Sequence, residues 1–230
     1  MLKKIAIYLS TSILLPLYSI ILKNKSLRGS TLLLVKIRKS KWSSLGLISC
    51  SIEQSAFVIK GESNNIQCQN VIIKNSDIRI TGTNNRIIIK PGVELQDVKI
   101  NIRGTGCILE IGENTTIGGC RIVNVGIKNS ITIGQDCMFA DNIEIWASDT
   151  HTLYDENDNI INKEKPITIG NKVWIGSYVK ILKGVTILDG SIIGMGSIIT
   201  KSTPANSLSV GSPSSVIKEN VNWSRNYKIN

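Results

Sequence analysis

Six isoleucines recur every six residues in the C-terminal third of this chain. They are Ile169, Ile175, Ile181, Ile187, Ile193 and Ile199. A period of six fits neither an amphipathic helix, whose period is about 3.6, nor an isolated strand, whose side chains alternate between two faces. It fits a chain wound into flat triangular coils, in which each short face buries one apolar residue before the next corner. Successive coils then pair as strands about 4.8 Å apart, and the isoleucines form a buried column.

A looser repeat precedes this one. Gly61, Gly82, Gly104 and Gly126 recur at nearly even intervals, each slightly longer than three hexads. Because three faces account for about 18 residues of a coil, the longer interval of about 22 residues predicts that each upstream coil carries a short additional turn. Glycine suits such corners because it adopts a positive φ without steric cost.

Composition predicts a single elongated repeat domain. Of the 230 residues, 42% are hydrophobic but only 5% are aromatic, as expected for a solenoid core of isoleucine and valine. The odd number of cysteines and the lack of a Cys-x-x-Cys pair predict free thiols that fill space in a reducing compartment, the cytoplasm. These cysteines are Cys50, Cys68, Cys107, Cys120 and Cys137.

Positive charge is concentrated at the N terminus. Residues 1–41 contain nine basic residues and no acidic residue, and so hold +9 of the net charge of +10. The rest of the chain has 18 basic and 17 acidic residues. A nucleic-acid-binding face usually spreads basic residues over the fold and mixes them with aromatic ones, so no nucleic-acid partner is expected.

An uncharged stretch spans residues 5–22. It is interpreted as a helical cap on the open end of the solenoid or as a membrane anchor, in preference to a signal peptide, since no small-x-small cleavage site follows it. The predicted organisation is a helical segment over residues 1–50, a β-helix over 51–218 and a tail over 219–230. If the basic residues of 1–41 contact anionic lipid, the protein is peripheral at the inner face of the cytoplasmic membrane.

The regular winding stops over residues 149–165. Structureless segments of this length are uncommon in compact domains and are often functional. The only histidine of the chain, His151, lies at the base of this segment, with Asp149 and Asp155 close to it in sequence. An imidazole accepts a proton from a hydroxyl near neutral pH, and either aspartate could orient its ring. His151 is therefore the predicted general base.

Four phrases around this segment carry a family resemblance. They are Ile145-Trp-Ala-Ser-Asp-Thr-His-Thr-Leu-Tyr-Asp155, Ile169-Gly-Asn-Lys-Val-Trp-Ile-Gly-Ser177, Ile193-Gly-Met-Gly-Ser-Ile-Ile-Thr-Lys201 and Val210-Gly-Ser-Pro213. Through them, residues 105–218 closely resemble the left-handed β-helix acyltransferases with hexapeptide repeats, and residues 55–105 do so loosely. The Ser-Asp-x-His and Val-Trp-Ile-Gly phrases are most similar to those of O-acetyltransferases that decorate bacterial capsule, lipopolysaccharide or other surface sugars. The implied fold is all-β, a left-handed parallel β-helix.

The resemblance also implies a mechanism. Acetyl-CoA and a saccharide hydroxyl would meet in a groove between neighbouring subunits of a homotrimer, and the acetyl group would move directly, without an acyl-enzyme. His151 would be the base, Asp149 its orienting partner, and Trp174 would line the groove and help to place the thioester and its oxyanion. The positions implied for the CoA arm are Trp174, Ser177, Met195, Gly196, Thr200, Lys201 and Lys218.

The sequence departs from the family pattern at Met195, at Ser215 and at Cys120-Arg121. The family often has alanine where Met195 stands and a basic residue where Ser215 stands, which bears on the pantetheine and phosphate contacts. Relatives that act on galactosides or antibiotics carry an asparagine about one coil before the catalytic histidine, and Cys120-Arg121 occupies that region here. Acceptor binding is therefore expected to differ from theirs.

Other functions on the same fold make different demands on the sequence. A zinc carbonic anhydrase needs three histidine ligands, and this chain has one histidine, so no metal centre is expected. A noncatalytic scaffold would need neither the loop histidine nor the Val-Trp-Ile-Gly phrase. An N-acetyltransferase acting on an amino sugar nucleotide, or a serine acetyltransferase, would use the same base and donor and remains the enzymatic alternative.

Overall fold

Three parallel sheets form the faces of a left-handed β-helix in the computed structural model, which describes residues 29–227 and 229. Within these residues the chain is all-β, with 25 short strands, of which β1 to β23 are visited in the repeating order sheet A, sheet B, sheet C, and β24 and β25 both belong to sheet A. Each turn through the three sheets is one triangular coil. This architecture confirms the solenoid predicted from the six-residue period.

Sheet A has ten strands, nine of them in parallel order and the last antiparallel. They are β1 (Thr31–Leu33), β4 (Ser51–Glu53), β7 (Ile72–Lys74), β10 (Glu94–Gln96), β13 (Thr116–Ile117), β16 (Met138–Phe139), β19 (Trp174–Ile175), β22 (Ile192–Ile193), β24 (Leu208–Gly211) and β25 (Ser214–Lys218).

Sheets B and C are parallel throughout. Sheet B contains β2 (Lys36–Lys39), β5 (Ala56–Glu62), β8 (Asp77–Thr83), β11 (Val98–Thr105), β14 (Cys120–Ile127), β17 (Ile143–Trp146), β20 (Lys180–Leu182) and β23 (Ile198–Ile199). Sheet C contains β3 (Ser44–Ile48), β6 (Asn65–Gln69), β9 (Arg86–Ile89), β12 (Ile108–Ile111), β15 (Ser130–Ile133), β18 (Ile167–Ile169) and β21 (Thr186–Ile187).

The strand register measures the length of each coil. Trp174 pairs with Ile192, so the coil between them is three hexads long. Glu94 pairs with Thr116, so that upstream coil is longer than three hexads. The additional residues of the upstream coils are in sheet B, where β5, β8, β11 and β14 have seven or eight residues each. The two coil lengths predicted from the sequence are therefore confirmed.

The core is a set of stacked apolar columns along the axis of the solenoid. All six of the regularly spaced isoleucines are at most 1% exposed. The five cysteines are also buried, and none forms a disulfide. They act as small core residues, as their number and spacing predicted.

The upstream glycines stack at the edge shared by sheets B and C. Gly82 has a φ of +121°, and a Cβ added to it would lie 2.0 Å from the carbonyl oxygen of Gly104 in the next coil. Gly104 is crowded by Gly126 in the same way. Only glycine allows the long strands of sheet B to turn here with their backbones in contact.

The solenoid begins earlier than residue 51. The helical segment predicted over residues 1–50 is wrong for its second part, because residues 31–48 form β1, β2 and β3, the first coil. Their apolar side chains Leu32, Leu45 and Leu47 alternate with more exposed ones and are buried in the core, a period of two that a helix cannot satisfy. Residues 1–28, which include the stretch 5–22, lie outside the described residues. In the part that is described, no helix is long and apolar enough to cross a membrane.

The C-terminal segment folds back on the solenoid. After β25, the amide of Val221 donates to the carbonyl of Asn206, and the Arg225 guanidinium donates to the carbonyl of Cys137 at 2.7 Å and to the hydroxyl of Thr116 at 2.8 Å. The segment 219–227 therefore packs against sheet A across several coils. We call it the tail strap.

Candidate active site

Residues 147–166 join β17 to β18 and leave the solenoid at the edge shared by sheets B and C. We call this segment the His151 loop. At its C-terminal end, Glu164 Oε1 accepts a hydrogen bond of 2.8 Å from the backbone amide of Ile127. The Glu164 side chain also covers Gly126, the last glycine of the stacked column. The hydrogen bond from Ile127 lowers the pKa of Glu164, so this end of the loop is anchored by an ionised carboxylate.

The tip of the His151 loop is a small turn. Tyr154 and Ile160 form an antiparallel bridge, and the Asp155 carboxylate accepts hydrogen bonds of 2.9 Å from the amides of Asn157 and Asn159. These amides lower the pKa of Asp155. The sequence left open whether Asp155 orients the imidazole; in the structure its carboxylate holds the turn.

The imidazole of His151 is exposed and makes no hydrogen bond with any residue that the structure describes. The preceding residue, Thr150, has a φ of +63°, which is unusual for a β-branched side chain. Such a conformation costs about 1–3 kcal/mol and persists only where neighbouring contacts impose it. The loop therefore holds a strained backbone directly before its histidine and presents the ring to solvent.

Three side chains fix this backbone. Asn162 Nδ2 donates to the carbonyl of His151 at 2.9 Å and to Asp149 Oδ2 at 2.8 Å. The Lys183 ammonium forms an ion pair with Asp149 and donates to the carbonyl of Asn162 at 2.9 Å. Lys183, with a further contribution from Asn162, lowers the pKa of Asp149. Asp149 thus orients the backbone of His151 through Asn162 and makes no hydrogen bond to the ring within the described chain.

Trp174 lies on the outer surface of sheet A, in β19, and is 38% exposed. Its ring packs against Trp223 of the tail strap, with the ring centroids 6.1 Å apart and the planes tilted by 46°. Trp223 is fixed in turn by its indole Nε1, which donates to the carbonyl of Lys172 at 2.8 Å. The strap therefore supports one face of Trp174 and leaves the rest accessible.

Three positions predicted for the CoA arm stack at the edge shared by sheets A and B. The amide of Gly196 donates to the carbonyl of Ser177 at 2.9 Å, and Met195 beside it is 73% exposed. The Ser177 hydroxyl donates to the carboxylate of Asp141 and lowers its pKa. A Cβ added to Gly196 would meet no atom within 4 Å, so this edge is open on its outer side.

The remaining predicted positions lie elsewhere. Thr200 and Lys201 follow β23 at the edge between sheets B and C, two coils beyond the His151 loop, and both are exposed. Lys218 ends β25 opposite Leu208 on sheet A. Thr200 and Lys201 thus lie on the same edge of the subunit as His151 and Asp149. A second group, beside Trp174, consists of Ser177, Met195 and Gly196. The subunit does not bring His151 and Trp174 to one edge.

Sequence reasoning missed a cluster on the outer face of sheet B beside the loop. Trp146 Nε1 donates to Glu144 Oε2 at 2.7 Å, and the Arg121 guanidinium lies over the Trp146 ring at 4.9 Å from its centroid. Arg121 and Glu144 also line a groove of about 820 Å³, together with Tyr178 and Lys180. The signal was present in the sequence, because a period of two in Ile-Glu-Ile-Trp points Glu144 and Trp146 outward.

The cysteines supply no nucleophile to this site. Burial raises the pKa of all five, and that of Cys137 reaches about 11. They are protonated at neutral pH and lack the thiolate that a covalent acyl intermediate would need. Chemistry at the His151 loop must therefore proceed without a cysteine nucleophile.

Comparisons with known proteins agree with this architecture. The model of the family described as "Bacterial transferase hexapeptide (six repeats)" matches residues 166–201. A polysialic acid O-acetyltransferase of Escherichia coli O1:K1 / APEC is 48% identical over 120 residues, 51% of this chain and 38% of that protein. A polysialic acid O-acetyltransferase of Neisseria meningitidis is 38% identical over 126 residues, 54% of this chain and 58% of that protein. The chain thus spans less than two thirds of the length of either curated relative.

A solved structure covers more of the chain. The crystal structure of the polySia-specific acetyltransferase NeuO superposes with a TM-score of 0.73 and 32% identity, covering 84% of each chain. At this identity and coverage the similarity extends through most of the solenoid. The chain belongs to the family of hexapeptide-repeat acyltransferases with a left-handed β-helix.

Proposed function

We propose that this protein is an O-acetyltransferase that moves an acetyl group from acetyl-CoA to a hydroxyl of a bacterial surface polysaccharide, of capsule or O-antigen type, or of its precursor. The observation that carries the proposal is the His151 loop, in which a strained, anchored backbone presents the only histidine of the chain. The names of the two curated relatives, both polysialic acid O-acetyltransferases, support the acceptor class.

In this mechanism His151 is the general base. Its neutral imidazole takes the proton of the saccharide hydroxyl as the oxygen attacks the carbonyl carbon of the thioester. The tetrahedral intermediate collapses by breaking the carbon–sulfur bond, and the imidazolium returns its proton to the departing CoA thiolate. The raised pKa values of the buried cysteines support this direct transfer over a route through an acyl-cysteine.

The donor would lie along the open surface that contains Trp174, Met195 and Gly196. Trp174 and Met195 offer exposed apolar area to the pantetheine and the thioester, and the absence of a side chain at Gly196 allows close approach. Lys201 and Lys218 are exposed cations suited to the phosphates of CoA. Trp174, Met195 and Gly196 lie on a different edge of the subunit from His151 and Lys201, so in this proposal His151 of one subunit completes the site beside the donor surface of the next, as in a homotrimer.

The proposal is tested by incubating the purified full chain with acetyl-labelled acetyl-CoA and a panel of acceptors: polysialic acid, extracted capsular polysaccharide, serine and an amino sugar nucleotide. We expect label on the polysaccharide in an ester bond, which mild alkali releases, whereas an amide would survive. His151→Ala should lower kcat by about 10²-fold to 10⁴-fold, the usual loss of a general base. The exposed neighbour Thr152→Ala is the matched control, and full transfer by His151→Ala would refute the mechanism.

A further inference from the structure

The charged residues of the solenoid are segregated by face. The strands of sheet B hold nine basic residues against three acidic ones, a net charge of +6. Sheet A has two basic and two acidic residues in its strands, and sheet C has one of each. The basic residues of sheet B are Lys36, Arg38, Lys39, Lys60, Arg79, Lys99, Arg103, Arg121 and Lys180, and the acidic ones are Glu62, Asp77 and Glu144.

These cations are largely without ionic partners. Within the described chain, the only ion pair of sheet B joins Arg79 to Asp77. Strands in a sheet are about 4.8 Å apart, well within the Debye length of about 8 Å at physiological salt, so the positive potentials of neighbouring coils add. Like charges on adjacent strands are mutually destabilising. Their accumulation on one face is therefore a cost to folding that a bound polyanion would remove.

The basic face forms a continuous path to the proposed active site. At the N-terminal coils a hollow of about 540 Å³ is lined by Lys36, Arg38, Lys39, Lys60 and Arg79. Lys99 and Arg103 of β11 continue the path, and Lys99 and Arg121 line the 820 Å³ groove. The Arg121 guanidinium lies over the ring of Trp146, the residue directly before the His151 loop. From β2 to β17 there are five strand spacings, or about 24 Å. A path of this length suits an extended chain rather than a single small anion.

We propose that the outer face of sheet B binds an extended, negatively charged polysaccharide and guides it to the His151 loop. This inference rests on the proposed function and adds to it the surface that holds the acceptor. The carboxylates of successive sugar units meet the cations of successive coils. At the loop end, the Trp146 ring supports the Arg121 guanidinium, which is suited to the carboxylate of one sugar unit.

The direct test measures binding of polysialic acid of defined chain lengths to the full chain by titration calorimetry, without acetyl-CoA. The test variant is Arg38→Gln/Lys60→Gln/Arg103→Gln, three exposed cations on strands of sheet B that precede the loop. The matched control is Lys74→Gln/Arg86→Gln/Lys128→Gln, which removes the same charge from exposed positions outside sheet B. Thermal unfolding of both variants checks that the fold is kept.

We expect the sheet B variant to bind long polymer about tenfold more weakly and with a shallower salt dependence, since electrostatic complementarity is lost. The control should stay close to the parent protein, and neutral dextran should not bind. Equal losses in both variants would overturn the proposal, as would unchanged binding in the sheet B variant. Equally tight, equally salt-sensitive binding of single-stranded RNA or of anionic lipid vesicles would assign the face to another partner.

The test separates this inference from the proposed function. Acetyl transfer to a short sialic acid oligomer, which reaches only the loop end, should keep its kcat in the sheet B variant, while KM for long polymer rises. If the parent protein transfers no acetyl group to any acceptor, the proposed function fails, but the binding titration still decides whether sheet B holds an acidic polysaccharide.

Discussion

The carboxylate of Glu164 accepts the backbone hydrogen bond of Ile127, at 2.8 Å, where the strand of the next coil stops short. β14 extends to Ile127, but β17, its neighbour in sheet B, ends at Trp146. The Glu164 side chain therefore accepts the hydrogen bond that a backbone carbonyl of a longer β17 would have accepted. The loop thus satisfies the backbone amide that its own departure from the sheet leaves without a strand partner.

Replacing Glu164 should loosen the His151 loop without unfolding the solenoid. Glu164→Ala removes a hydrogen bond worth about 1 kcal/mol, so the Ile127 amide should exchange faster and kcat should fall a fewfold. Glu164→Gln keeps an acceptor oxygen and should stay near the parent protein. The control is Glu156→Ala, an exposed carboxylate of the same loop. Hydrogen exchange and initial rates measure both effects; an unchanged Ile127 amide in Glu164→Ala would contradict this role of Glu164.

The ion pair between Lys183 and Asp149 should act on turnover through the backbone of His151. Lys183→Met keeps the length of the side chain and removes the ammonium, leaving Asp149 and Asn162 without their common partner. We expect kcat to fall about tenfold because His151 is misplaced, which corresponds to a rise of about 1.4 kcal/mol in the activation free energy. KM for acetyl-CoA should change little. Lys163→Met, an exposed lysine of the same loop, is the control. A fall confined to KM would show that Lys183 acts on donor binding instead.

Acid should release the His151 loop before it unfolds the core. The pKa values of Asp149 and Glu164 are lowered in the folded protein, so each carboxylate stabilises the loop above its ordinary pKa and loses that effect as the pH falls through the lowered value. The protection of the loop against hydrogen exchange and proteolysis should therefore be constant from about pH 8 to 5 and should decrease below about pH 4. Limited proteolysis and hydrogen exchange, corrected for intrinsic rates, measure it. A loss of protection already near pH 6 would contradict this assignment.

Much of the fold could be predicted from the spacing of isoleucines and glycines along the sequence. The isoleucine period set the regular coil at three hexads, the glycine spacing set the upstream coils at a greater length, and both lengths are observed in the strand register. The first coil was missed because its basic residues suggested a membrane-facing segment. In the structure, Lys36 and Arg38 lie on β2 of sheet B. Counting charges along the sequence cannot reveal that the basic residues of the near-neutral remainder of the chain are also concentrated on sheet B.

The site was predictable only in part, because some of its residues belong to local sequence motifs and others are brought together only by contacts between distant parts of the chain. The interruption of the hexads located His151, and the motif phrases located Trp174 and the CoA positions. The clamp of Asp149, Asn162 and Lys183 joins residues up to 34 positions apart, and no local pattern announces such a contact. The packing of Trp223 on Trp174 also joins residues distant in the sequence and depends on the tail strap folding back.

The stacked glycines make a stringent test of the coil geometry. Gly82→Ala would place a Cβ 2.0 Å from the backbone oxygen of Gly104 at a φ of +121°. Overpacking and backbone strain each cost about 1–3 kcal/mol, so we expect a loss of several kcal/mol in the free energy of unfolding. Gly46→Ala is the control, because its Cβ would lie 3.8 Å from the nearest atom and its φ is not positive. Chemical denaturation compares the two; equal stabilities would contradict the tight stacking.

The tail strap should control the surroundings of Trp174. Trp223 is 8% exposed, packs on the Trp174 ring and donates its indole hydrogen to the carbonyl of Lys172. Trp223→Ala should free the strap, increase the solvent exposure of Trp174 and raise KM for acetyl-CoA, while kcat at saturation changes little because the His151 loop is untouched. Trp223→Phe keeps a ring but loses the hydrogen bond, so its effect should be intermediate.

The control is Tyr227→Ala, which removes an exposed aromatic side chain at the end of the strap. Quenching of tryptophan fluorescence by acrylamide and limited proteolysis report on the strap, and initial rates report on KM. If Trp223→Ala released the strap and left KM unchanged, the surface around Trp174 would not be part of the donor site.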